Sequence, residues 1–201
     1  MRLPLFPLHT VLFPETTLPL HVFEPRYREM IGRCLEHDES FGIALILDGD
    51  EVGSHAIPHR IGTEASIIAC QRNGHGEYDI VVEGQRRFTT RSLDRSRAYL
   101  RADVDWMDEP LGKDVEILAD AVARLFTGIV EPLETRGHAI VDDTWREMDP
   151  RTLSFRVAAA LPGAVDVRQE LLETPDTASR LRREAELLMS VHRIGAETGA
   201  A

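Results

Sequence analysis

The chain has 201 residues, 43% of them hydrophobic and 28% charged, the balance of an ordinary water-soluble globular protein. A chain of this length buries roughly 70% of its unfolded surface, so it needs neither disulfides nor a metal to hold a core. Its two cysteines, Cys34 and Cys70, form no CxxC or Cys/His cluster, which excludes a disulfide scaffold or a sequence-local zinc fold and fits a reducing cytoplasm. The net charge of −11, from 23 basic and 34 acidic residues, repels phosphate backbones and anionic lipid, so neither nucleic acid nor a membrane is expected as a partner.

The first 25 residues are apolar, but Pro4, Pro7, Pro14, Pro19 and Pro25 break any helical targeting core, and no small-residue cleavage site follows. No apolar run is long enough to span a bilayer, and a cytoplasmic location is expected. Leu3, Leu5 and Leu8, interleaved with prolines, predict a short edge strand, because proline donates nothing to a central ladder. Thr17 to Phe23 predicts a second strand. Pro25 marks a helix start, and Tyr27, Met30, Ile31 and Leu35 keep the helical period through His37.

Phe41 to Leu47 reads as a buried strand closed by the Asp48–Gly49–Asp50 turn. After a loop through Pro58, Ile61 to Gln71 and Glu77 to Val82 predict a hairpin across Asn73–Gly74–His75–Gly76, where glycine supplies the positive φ of the turn. Gly84 is expected to separate this hairpin from a strand over Arg86 to Leu93. In 98–106, Ala98, Leu100, Ala102, Val104 and Trp106 alternate with polar residues, one face buried and one wet. Short strands with tight turns predict a curled, mostly antiparallel sheet or partial barrel.

Beyond the acidic Met107–Gly112 linker the period becomes helical, with Val115, Leu118, Ala119, Val122, Leu125, Phe126 and Ile129 on one stripe. Asp149–Pro150 opens a helix through Leu161 that Pro162–Gly163 stops, and a short helix spans Val167 to Glu173. Thr174–Pro175 repeats the cap-plus-proline device for a helix to Ile194, with Gly195 as its terminator. The fold class is α+β: a β-rich domain over 1–108 with one inserted helix, a helical domain over 113–195, and a frayed tail over 196–201.

Catalytic machinery is not evident. Gly112–Lys113 lacks the rest of a phosphate loop, and no GxGxxG or GxSxG is present. Lys113, the only lysine, starts an acidic, exposed helix that offers no evident desolvation for a serine–lysine dyad. His55 and His59 flank Pro58 without an HExxH glutamate, so they read as loop residues. His9 and His21 read as strand-edge residues, and His75 as a turn residue. Asp142, Asp143, Glu147 and Asp149 precede a helix, where the dipole favours carboxylates. No cofactor, metal or catalytic residue is expected, and the chain is read as a non-enzyme.

One block carries more than architecture: His21–Val22–Phe23–Glu24–Pro25–Arg26–Tyr27–Arg28, with Arg86–Arg87–Phe88 placed to lie across the sheet. Glu24 is the candidate for a structural ion pair with an arginine. The functional reading is a rim that grips an extended peptide through arginine and aromatic anchors, with the Leu3–Leu8 edge adding backbone pairing.

Long stretches of the chain carry a resemblance: LPLFPLHTVLFPETTLPLHVFEPRYREMI at 3–31, FGIALI at 41–46, VGSHAIPHRIGTEASI at 52–67, YDIVVEGQRRF at 78–88 and LSFRVAAALP at 153–162, with QELLE near 169–173. They are similar to the N-terminal, substrate-binding domain of the ATP-dependent Lon proteases, and most of all to bacterial stand-alone proteins that carry this domain without the rest of the protease. Glu15 departs from the family, which usually has glycine after the Leu-Phe-Pro, and a turn needing positive φ is strained by glutamate. The resemblance implies a PUA-like curled sheet or pseudo-barrel followed by a helical bundle. It also implies recognition of unfolded polypeptide, with ATP hydrolysis and peptide cleavage belonging to domains absent here.

The expected function is therefore a non-catalytic interaction module for unfolded or extended polypeptide, an adaptor or chaperone-like factor partnered by a protease or chaperone. Leu3, Leu5, Leu8, Phe23, Arg26, Tyr27 and Arg86 are the contact candidates, and a monomer is the favoured state. The rivals are PUA-like RNA binding through Arg86, Arg87, Arg91, Arg95, Arg97 and Arg101, and a small-molecule enzyme with a spatially assembled site. Tyr27→Ala is expected to weaken peptide binding without unfolding the protein.

Overall fold

A computed structural model describes residues 1–52, 56–134 and 143–198. The elements in chain order are β1 (Arg2–Leu8), β2 (Thr17–Val22), α1 (Pro25–His37), β3 (Phe41–Asp48), β4 (Ile57–Pro58), β5 (Ile61–Arg72), β6 (Tyr78–Asp94) and β7 (Leu100–Trp106). The helices α2 (Val115–Glu134), α3 (Pro150–Ala160), α4 (Val165–Glu173) and α5 (Thr177–Thr198) follow, with a 3-10 turn over Asp143–Arg146. Contacts divide the chain into one unit of Met1–Asp108 with Ala164–Leu172 and another of Glu109–Gly163 with Glu173–Ala201. Residues 164–172 group with the strands rather than with the helices around them.

In the first unit the sheet runs β1-β7-β6-β5-β3, and a parallel pairing of β1 with β3 returns it to its start. β2 adds to β6 and β4 to β3. β1 is thus not the edge strand that its prolines predict. Met1 and Val104 exchange both backbone bonds across β1–β7, which alternates the N–H directions along β1. Pro4 then faces β3 before that pairing starts at Leu5, and Pro7 faces β7 after that pairing ends at Leu5. Each proline sits where its missing donor has no acceptor to meet.

Leu3, Leu5, Phe88, Ala102 and Val104 form one buried cluster. A larger one joins Phe6, Val22, Phe41, Ile80 and Val82 to the apolar stripe of α1, namely Tyr27, Met30, Ile31 and Cys34. Pro25 is the first residue of α1, as its fixed φ suits. Gly84 does not break β6, which continues through it as one strand of 17 residues. A Cβ there would lie 2.1 Å from the Phe13 carbonyl oxygen, so glycine admits the close approach of the preceding loop. That loop turns on Glu15, whose φ is +60° and whose N–H donates to the Gly84 carbonyl at 2.7 Å.

Two buried polar side chains tie α4 to this unit. The Arg87 guanidinium is fully buried and donates to the Leu172 carbonyl in the last turn of α4 at 2.5 Å, a favourable place for a cation. Gln169 donates to the Ile61 carbonyl at 3.1 Å.

In the second unit, α3 opens on Asp149, whose carboxylate accepts the Arg151 and Thr152 N–H groups. α5 starts later than the Thr174–Pro175 signal implied. Its capping bonds go to Asp176, which accepts from the Ser179 N–H at 2.9 Å and the Ser179 hydroxyl at 2.7 Å. Gly195 does not terminate α5, whose hydrogen bonding runs on to Thr198; of the expected tail, 199–201 lie outside the described residues. Between α3 and α5 the Arg180 Nε–H donates to Ser154 Oγ at 2.7 Å, and the Ser154 hydroxyl donates to Glu184 Oε1 at 2.8 Å. All three side chains are fully buried. Arg180 also covers the Phe155 ring at 3.9 Å and lies 4.0 Å from Glu109.

Glycine at position 15 should relieve the left-handed penalty and return part of it as backbone entropy. Glu15→Gly is predicted to stabilise the fold by about 0.5–1 kcal/mol, read as a rise in thermal midpoint of a few degrees. Burial pushes the Glu184 carboxyl from its ordinary 4.5 up to about 8. The folded protein therefore holds this proton where the unfolded chain has released it, so the contribution is complete below pH 4.5 and lost as pH rises through 8. Denaturant melts at stepped pH should show stability falling across this window in the wild type and a flatter profile in Glu184→Gln.

Candidate functional site

The structure separates the contact candidates into core and surface. Leu3, Leu5 and Leu8 are buried with β1 paired on both sides, which overturns the expected binding edge: closure of the sheet uses the ladder groups a peptide would need. Tyr27 is 4% exposed and stacks on Phe6 at a centroid distance of 4.1 Å, and burial pushes its phenol up to about 12. It is a core residue. Phe23 is 47% exposed and stacks on the His21 ring at 5.9 Å. Arg26 is fixed by the Glu24 carboxylate at 3.2 Å and the Glu51 carbonyl at 3.1 Å. Arg86 pairs with Glu64 at 2.8 Å and stacks over the Trp106 ring at 3.6 Å.

A different surface emerges where β2, β6 and the distal half of β5 form a three-stranded ribbon. Pro19, Val81 and Ala69 stand in register across it, as do His21, Asp79 and Gln71, and these six line a shallow concavity of about 640 Å³. His21 Nδ1 lies 2.7 Å from Asp79 Oδ1, a contact that favours protonated imidazole and raises its pKa.

The two outer edges of this ribbon differ in chemistry. Among the described residues β2 pairs only with β6, and the bond from the Gly84 N–H to the Thr16 carbonyl at 2.9 Å places the nitrogen of Pro19 on the outward side by alternation. Proline there blunts the edge. β5 pairs with β3 only over Thr63–Ala65, so 66–72 have β6 alone as a neighbour among the described residues. The Asn73 N–H donates to the Glu77 carbonyl. By alternation, Ala69 and Gln71 bond to β6, and Cys70 and Arg72 turn both N–H and C=O outward. This edge, Ser66–Ile67–Ile68–Ala69–Cys70–Gln71–Arg72, holds no proline and no acid. A bulge between Ile67 and Ala69 leaves Ile68 54% exposed.

The sequence readings missed this edge, because Ile61–Gln71 reads as an ordinary hairpin arm. The signal was its second half: two adjacent isoleucines break the alternation that a half-buried strand should keep. Other features carry less. Arg87 is buried, Arg91 pairs with Asp105 at 3.3 Å and Arg101 with Asp94 at 2.6 Å, so the arginine-rich 86–101 stretch presents no continuous basic face. Among the described residues no group of three or more His, Cys, Asp or Glu side chains is placed to hold a metal ion, and no helix is long and apolar enough to cross a membrane. His55, Asp142 and part of the 52–67 stretch lie outside the described residues. Cys34 is buried, with its thiol pushed up to about 11, whereas Cys70 is exposed.

Residues 2–190 match the family model for the ATP-dependent protease La (LON) substrate-binding domain. Among full-length relatives, Lon protease 2 of Syntrophobacter fumaroxidans is 28% identical over 90% of this chain, and Lon protease of Escherichia coli 23% over 90%. The chain spans only 23% and 24% of their respective lengths. A Lon N-terminal domain protein from Xanthomonas campestris superposes with a TM-score of 0.68 at 28% identity, covering 91% of this chain and 96% of that one. The N-terminal domain of a Mycobacterium avium complex Lon protease shares the fold, with a TM-score of 0.76 at 21% identity over 94% of this chain and 98% of that one.

Removing the Tyr27 ring leaves a cavity against Phe6. Tyr27→Ala is predicted to cost about 3 kcal/mol or more, whereas Phe23→Ala on the surface should stay within about 0.5 kcal/mol; parallel urea titrations of the two variants distinguish them.

Proposed function

The chain belongs to the LON substrate-binding domain family, and on that premise we propose that it is a non-catalytic module that takes up extended, apolar stretches of unfolded polypeptide along the open edge of β5. The observation that supports this is the row of outward backbone groups at Cys70 and Arg72, flanked by exposed Ile68 and free of proline and acid. An added strand satisfies those groups with its own backbone, which gives tolerance of sequence, while side chains against Ile68 and the Pro19–Val81–Ala69 row supply affinity. Phe23 extends the apolar surface at the end of β2.

The same reading takes the first unit as a PUA-like pseudo-barrel and α2, α3 and α5 as a helical bundle. It assigns the chain the role of an adaptor or chaperone-like factor that presents bound segments to a protease or chaperone. Full-length relatives are proteases, and the segment matched here is their substrate-binding part.

The test is a titration against a permanently unfolded, cysteine-free polypeptide, with its folded counterpart as control. Binding to the unfolded form alone is expected, together with slowed alkylation of Cys70 while Cys34 stays inert throughout. Cys70→Pro removes an outward donor and leaves the β6 ladder intact, and should weaken binding about fivefold or more. Ile68→Lys should do the same without loss of fold. Unchanged Cys70 alkylation together with full affinity in both variants would contradict the proposal.

A further inference from the structure

A second feature of the first unit is a small pocket of about 80 Å³ lined by Arg26, Arg95 and Arg97, with Pro7, Leu100 and Tyr27 also in its lining. Among the described residues arginine is the one charged residue type in this lining, in a chain whose net charge is −11. Arg26 is held in place by Glu24 at 3.2 Å and the Glu51 carbonyl at 3.1 Å, with its guanidinium carbon 4.6 Å from the centre of the Tyr27 ring. That ring is itself pinned by Phe6. Arg95 and Arg97 stand exposed on the turn between β6 and β7. The neighbouring acid, Asp94, is taken up by Arg2 at 3.4 Å, Arg101 at 2.6 Å and the Ser96 N–H at 2.9 Å. Arg95 and Arg97 thus share one lining with Arg26, which is already positioned, and with apolar residues.

Physical chemistry narrows what fits. Guanidinium forks match planar oxyanions, and such charge-assisted bonds are the strong ones. The volume accommodates a headgroup of a few heavy atoms, far below the several hundred Å³ of a drug-sized site. Proline, leucine and tyrosine walls suit an anion that carries an apolar body, which disfavours bare phosphate and a phosphodiester chain. We propose that this pocket binds the α-carboxylate at the C-terminus of a polypeptide, a second anchor that selects chain ends. The assignment rests on the polypeptide-binding reading above and names a site and a chemistry that the β5 edge does not supply.

The experiment uses one apolar peptide in two forms, ending in a free carboxylate or in a carboxamide, titrated against the full chain and against an Arg95→Gln/Arg97→Gln variant. The free acid is expected to bind the wild type about tenfold more tightly than the amide. The variant should bind both forms equally, with the affinity of the wild type for the amide. Both substitutions lie on an exposed turn, so the melting temperature should not move. Equal affinities of the two forms for the wild type would overturn the proposal.

A parallel NMR titration with acetate and with inorganic phosphate reads the pocket without any peptide. Shifts of the 95–99 amides with acetate in the wild type, absent in the variant, support the carboxylate assignment. Shifts with phosphate alone, or with neither anion, overturn it. Because this arm is independent of polypeptide binding, loss of the β5-edge reading and loss of the pocket are told apart.

Discussion

The architecture of the first unit depends on β1 having a partner on each side. Pairing antiparallel to β7 and parallel to β3 closes the path of strands, and with closure the backbone groups of five strands are spent on one another. What stays open is decided by where strands outrun their neighbours. β5 extends seven residues past its last pair with β3, and β2 lies on β6 with nothing beyond it among the described residues. The prolines sort these places. Pro4 and Pro7 sit at the ends of the two β1 pairings, where no donor is required, and Pro19 blunts β2. Among the described residues β5 alone combines an open ladder, exposed apolar side chains and no proline, the combination that makes an edge receptive to another strand.

Much of this frame was legible in the residues. The alternation in 98–106, the glycine-rich hairpin turn and the Pro25 and Asp149–Pro150 helix starts each reflect a local constraint, and local constraints survive into the fold. The errors came from reading a tertiary property off a local one. Prolines in 2–8 pointed to an edge strand, because the rule concerns a ladder and not a residue; two staggered half-ladders satisfy it in the interior. Gly84 looked like a break, yet it is the place where the loop carrying Phe13 approaches β6. Tyr27 looked like an anchor beside Arg26, but its position on the inner stripe of α1 puts it against Phe6. The β5 edge was not legible, since whether a strand outruns its neighbour depends on the length of another element.

Charge follows a similar logic. In a strongly acidic chain, arginines acquire carboxylate partners by default, and Arg2, Arg86, Arg91 and Arg101 have them. Two others go inside: Arg87 holds the end of α4, and Arg180 faces Ser154 and Glu109. Arg95 and Arg97 remain on the surface, in the lining that Arg26 shares. Buried polar links of this kind add less to net stability than to uniqueness of arrangement, because their desolvation offsets most of their attraction. The Glu184 carboxyl, with its pKa raised by burial, is the same trade seen in the second unit.

The most direct measurement is amide hydrogen exchange, residue by residue, with and without a permanently unfolded polypeptide. In the free protein the outward N–H groups of Cys70 and Arg72 should exchange fast, and those of Ala69 and Gln71, bonded to β6, slowly. Saturation with the unfolded chain should protect Cys70 and Arg72 while leaving β2 unchanged, because an added strand satisfies those two donors. Protection confined to β2, or none at 70 and 72 despite binding, would contradict the β5 edge as the recognition surface.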